Sequence, residues 1–107
     1  MKRGELYRVR HPSGDAKRAR VFVVASRDAL VGSRFASVVC APIYSRRRGL
    51  STEVGVGVAE GLKHESCVLC DALISIEKSR LTDFVGTLGT AKLREFRDSL
   101  RIALDIE

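Results

Sequence analysis

Three consecutive arginines, Arg46, Arg47 and Arg48, follow directly on the apolar run Cys40-Ala41-Pro42-Ile43, which closes in Tyr44 and Ser45. Guanidinium groups gathered at the end of a buried strand suit phosphates. Each offers paired planar donors, and a cluster displaces counterions from a polyanion. The rest of the charge points the same way. Residues 1–48 carry twelve basic and three acidic side chains, a net +9, which leaves −3 for residues 49–107 and +6 overall. Such asymmetry sets a basic face toward a polyanionic partner. His11 and His64 titrate near neutrality and are candidates for an acid/base pair. Cys67-Val68-Leu69-Cys70 has the spacing of redox and zinc sites. It lies, however, in the apolar run CVLCDALISI, which reads as a strand, so the two thiols face opposite sides. With Cys40 the count is odd, and no second Cys/His pair completes a metal site. The three cysteines are therefore expected to be buried and structural, with no metal and no cofactor.

These groups need a scaffold. A chain of 107 residues reads as a single domain, 1–107. It buries roughly 60–70% of its unfolded surface, and a dimer sharing apolar surface would add to that. Alternation over Glu5–Arg10 marks a half-buried strand, followed by a turn cluster from His11 to Asp15. Arg20–Ser26 and Ala36–Tyr44 read as strands, with Pro42 near an edge or bulge. Asp28–Arg34 is expected to be a loop. Thr52–Val58 and Asp83–Leu88 are expected to be short strands, Ser66–Ile76 one longer strand, and Lys78–Leu81 a single helical turn. From Thr90, as N-cap, Leu93, Phe96, Leu100 and Leu104 recur at helical spacing. The expectation is a mainly β fold with one C-terminal helix, in which five to six short, strongly bent strands form a small sheet or barrel. The longest apolar runs, Val21–Ala25 and Val38–Ile43, are too short to span a bilayer, and no apolar signal core follows Met1. A soluble, cytoplasmic protein without a membrane partner is expected.

The order of these landmarks resembles the MazF/PemK toxin family. KRGELYRV is similar to its RGE-aromatic opening, RVFVVASRD to its second strand and VVCAPIYS to its third. The Lys-x-Arg-Leu segment and the closing helix follow in the same order, so the resemblance covers nearly the whole chain. It implies an SH3-like barrel, usually a homodimer. It further implies a metal-independent, sequence-selective endoribonuclease that cuts single-stranded RNA and is held inactive by a small acidic antitoxin. Relatives of the same fold that poison DNA gyrase make a non-catalytic, nucleic-acid- or gyrase-binding toxin the alternative.

The resemblance also assigns roles. Cleavage by the substrate's own 2′-OH, leaving a 2′,3′-cyclic phosphate, needs a group that stabilises the phosphorane and groups that move protons. The family's arginine at the head of the second strand corresponds to Arg20, with Arg18 two residues away. The family's threonine at the end of the third strand is replaced by Tyr44 followed by Ser45, and either hydroxyl can take its place. Arg46, Arg47 and Arg48 fall in a loop that flanks the RNA groove. Ser26, Arg27 and Asp28 are candidates for base contacts. His11 belongs to a turn that overhangs the site, and His64 to the loop before the fifth strand.

Overall fold

The alternation in Glu5–Val9 becomes strand β1, with Leu6 turned to one face of a sheet and Tyr7 and Val9 to the other. The computed structural model describes residues 1–10 and 19–107, so His11 and Arg18 lie outside the described residues. β2 (Arg20–Val24) and β3 (Ser37–Tyr44) are β-branched runs that pair antiparallel in sequence order, β2 with β1 and β3 with β2. After these come β4 (Glu53–Val56), β5 (Ser66–Leu69), β6 (Ile74–Glu77) and β7 (Asp83–Thr87). The order β4-β5-β3-β2-β1-β7, with β6 also on β3, curls into a half-barrel. The mainly β fold with one C-terminal helix is thus observed, with seven strands in place of five to six.

The extra strand comes from a break in CVLCDALISI. A 3₁₀ turn at Cys70–Ala72 divides it into β5 and β6, so Cys67 and Cys70 do not share a strand. The cause is tertiary. The Cys70 N–H donates to the Thr52 carbonyl at 3.0 Å, and the Thr52 hydroxyl donates to the Asp71 carboxylate at 2.6 Å. The two halves then take different stretches of one side of β3, β6 along Ser37–Cys40 and β5 along Ile43–Tyr44. Pro42 falls at that hand-over, inside the sheet and not at its edge, where a missing N–H is tolerated.

Asp28–Val31 is a short helix, α1, and not the expected loop. Local sequence does not dictate it. The Arg3 N–H donates to the Asp28 carboxylate at 2.7 Å, and Lys78 Nζ donates to the Leu30 and Ser33 carbonyls at 3.0 and 2.8 Å. The last element is α2 (Thr90–Leu104), capped by Gly89, with Thr90 as its first helical residue and not its cap. Phe96 is fully buried on the sheet beside Leu6, Val23 and Val54, flanked by half-buried Leu93, Leu100 and Ala103. Ser99 is buried and its hydroxyl donates to the Ser51 carbonyl at 3.0 Å. The inner face therefore runs Phe96, Ser99, Leu100, Ala103, the i, i+3, i+4, i+7 pattern. This leaves Leu104 exposed, against expectation.

Candidate active site

β2 and β3 run antiparallel, so the register Phe22↔Pro42 extends to set Arg20 opposite Tyr44 at the open end of both strands. Arg20 is exposed there, but its guanidinium is not free to wander. Nη1 donates to the Ile43 carbonyl at 3.2 Å, and the group lies over the Tyr44 ring, 4.0 Å from its centroid. Such stacking contributes about 0.5–1 kcal/mol at an exposed site. Of the five N–H donors of the fork, the Ile43 carbonyl takes one. Among the described residues no other group takes a donor of that fork.

This pair lines a cleft of about 260 Å³ that also takes in Ser45, His64, Ser66 and Arg8. Lys63 stands on its rim. Arg8 comes from β1, directly across β2 through the pair Arg8↔Val21, and is tied to Asp83 of β7 at 3.6 Å. His64 comes from the loop between β4 and β5. That loop is held by Gly61, whose φ of +95° and close approach to the Val85 carbonyl leave no room for a side chain. The cleft brings together a fixed guanidinium, a second arginine, three hydroxyls and an imidazole. Those groups can bind a phosphate diester, neutralise added charge and exchange protons near neutral pH.

On the other side of the Tyr44 ring is a second hollow of about 220 Å³, lined by Arg46, Arg48, Glu53 and Cys67. Glu53 is the hub of the arginine loop. Its buried carboxylate accepts the Arg48 N–H at 3.0 and 3.3 Å and the Leu50 N–H at 3.0 Å, around Gly49 with φ +76°. Backbone donation, from Leu50 above all and also from Arg48 and Gly49, holds its carboxyl below the usual carboxylate range despite burial. The Cys67 thiol points at the Arg46 carbonyl at 3.4 Å and at Glu53 at 3.7 Å, and burial followed by the Glu53 charge pushes it up. Burial also pushes Cys40 and Cys70 up to about 12. All three cysteines are free and buried.

The expected base-contact residues are not brought into the cleft. Ser26 lies at the far end of β2, six positions from Arg20 and so about 20 Å along the strand direction. It is buried and its hydroxyl accepts the Val39 N–H at 2.8 Å. Arg27 caps α1, and Asp28 holds the Arg3 backbone. Arg8, Lys63 and Ser66 were not singled out from the sequence. For Arg8 the signal lay in the alternation of ELYRVR, but its use required the strand order.

This constellation on a half-barrel sets a cluster of cationic, hydroxyl and imidazole groups at the mouth of two strands of a small basic protein. A family model described as PemK-like, MazF-like toxin of type II toxin-antitoxin system matches residues 2–104, and the chain belongs to that family. It is similar in structure to the Mycobacterium tuberculosis toxin MazF-mt6, at TM-score 0.83 and 25% identity, covering 96% of this chain and 98% of that one. An endoribonuclease in complex with its cognate antitoxin, from a Mycobacterial species, superposes at TM-score 0.84 and 25% identity over 100% and 97% of the two chains. An endoribonuclease from a Mycobacterial species matches at TM-score 0.79 and 26% identity over 98% and 91%. No curated protein sequence matches the chain. Among the described residues no helix is long and apolar enough to cross a membrane.

Proposed function

We propose that this toxin is a metal-independent endoribonuclease that cuts single-stranded RNA by 2′-OH attack and leaves a 2′,3′-cyclic phosphate. The observation that carries the reading is Arg20, stacked on Tyr44 and anchored to the Ile43 carbonyl in the same cleft as Ser45 and His64. In this reading the Arg20 guanidinium meets the non-bridging oxygens and stabilises the phosphorane, where preorganised donors have their greatest effect. The Tyr44 and Ser45 hydroxyls donate to the phosphate or the leaving oxygen. His64 takes the proton from the 2′-OH or returns one to the 5′-oxygen. Arg46, Arg47 and Arg48 gather the flanking backbone by counterion release.

The metal independence, the homodimer, the cytoplasmic setting and the acidic antitoxin come from the family resemblance. The antitoxin is further supported by the solved complex of a neighbour. The test is incubation of purified protein with a mixed RNA pool in excess EDTA. Defined cuts ending in cyclic phosphate are expected. Cuts that appear only on adding Mg²⁺ would contradict the reading. Salt-sensitive RNA or DNA retention with no cutting at all would turn it into the non-catalytic alternative.

A further inference from the structure

Beside the reaction cleft lies a larger one of about 510 Å³, and the two share Ser45 and Ser66 as a common wall. Its floor is the edge strand β4 and the residue that follows it, with Gly55 inside the strand and Gly57 one residue past its end. Neither fills the space above it. The Arg47 guanidinium lies over Gly55, so close that an added methyl would meet Nη1 at 2.8 Å. Glu65 lies over Gly57, where an added methyl would come within 3.7 Å of its Cα and 3.9 Å of its Cγ. Gly55 and Gly57, separated by the extended residue Val56, are about 7 Å apart. The Arg47 fork of donors and the exposed Glu65 thus line one cleft above two glycines whose spacing is on the scale of a nucleobase, and Lys92 of α2 lines it as well. The other carboxylate there, Glu60, is buried and accepts the Gly57 N–H at 2.7 Å, which leaves Glu65 as the one positioned for a ligand.

We propose that this second cleft is a specificity subsite for one guanine of the RNA, next to the scissile phosphate. Of the four bases, guanine alone carries an acceptor pair, O6 and N7, and a donor pair, N1–H and N2–H. The first fits a guanidinium fork and the second a carboxylate. The inference rests on the ribonuclease reading, because the shared Ser45 and Ser66 wall is what sets the base beside the cut.

Two measurements test it. Cuts in a random-sequence RNA pool, mapped by sequencing, are expected to favour G about tenfold or more at one fixed position beside the cut. Glu65→Gln is an exposed change, and it brings that position close to parity. Gly55→Ala does the same by lifting Arg47 off the floor, and it meets only the movable end of a side chain. Even base use at every flanking position, or a G preference that survives Glu65→Gln, overturns the proposal. The second measurement follows the Gly55 and Gly57 amides by NMR during titration with a short 2′-O-methyl oligouridylate carrying one G or one A. Both amides are expected to shift more with G. Such shifts without any cleavage would retire the ribonuclease reading and keep the subsite. Cleavage with unmoved glycines and no G preference would retire the subsite and keep the ribonuclease.

Discussion

The two ends of β2 carry the same kinds of side chain and use them oppositely. At its start, Arg20 is anchored through one donor and keeps the rest of its fork toward the cleft. At its far end two of the three polar side chains are occupied by the fold. Ser26 holds the Val39 N–H and Asp28 holds the Arg3 N–H, while Arg27, at the N-cap of α1, is exposed. Residue type alone does not mark a site. A polar side chain at a strand end is available to a ligand only where the neighbouring backbone is already satisfied, and the Val39 N–H needs Ser26 in a way that nothing among the described residues needs the remaining donors of Arg20.

That contrast can be broken by mutation. Arg20→Ala should lower single-turnover RNA cleavage by about 10²–10³-fold, the usual cost of removing a preorganised charge-stabilising donor. Its thermal midpoint should stay close to wild type, since the residue is exposed. A midpoint drop as large as the activity loss suggests would mean that Arg20 is structural. The Arg46, Arg47 and Arg48 triple change to Ala should weaken RNA binding and reduce the slope of log K against log salt by up to about 2, at about 0.7 per phosphate contact on single strands. An unchanged slope would remove the loop from the groove.

Ser26→Ala gives the mirror image. Leaving the half-buried Val39 N–H without its partner should cost about 1 kcal/mol, read as a fall of a few degrees in the melting midpoint. Cleavage by the folded protein should be retained. Loss of cleavage at full stability would restore Ser26 to the site.

The smallest effects concern the supports. The Glu53 carboxyl is held below its ordinary value, so the ionised form favours the fold. Its contribution is complete above the ordinary glutamate value of about 4.3 and is lost as the pH falls through the lower folded value. The protection factors of the Arg48 and Leu50 amides, taken against intrinsic exchange at each pH, should therefore fall only on acidification below that range. A fall in protection between pH 5 and 7 would point to another group. With Cys40 and Cys70 pushed up to about 12 and Cys67 also raised, iodoacetamide at pH 8 should label none of the three thiols until the protein is unfolded.

Much of this architecture could be read from residue patterns, and the failures have physical reasons. The alternation of ELYRV, the apolar RVFVV and the spacing of Leu93, Phe96 and Leu100 located their elements, because burial on one face imposes those periods directly. The break at Cys70–Ala72 was hidden inside an unbroken apolar run. Asp71 was its only local sign, and the contacts that make the turn come from Thr52, 19 residues earlier. α1 likewise depends on Lys78, 48 residues away from Leu30. At the site, Arg20 and Tyr44 were named through the family resemblance, and His64 through its residue type. Arg8 and the glycine-floored cleft depended on which strands become neighbours, which a linear pattern does not specify.

The central claim is that the Arg20 guanidinium meets the scissile phosphate. The most direct measurement is a crystal structure with a 2′-O-methyl RNA oligonucleotide that binds but cannot be cut. The account predicts a phosphate oxygen at about 2.7–3.0 Å from an Arg20 nitrogen, with Ser45 and His64 around the same linkage. A backbone that runs through another part of the surface, leaving Arg20 in contact only with Tyr44 and Ile43, would contradict it.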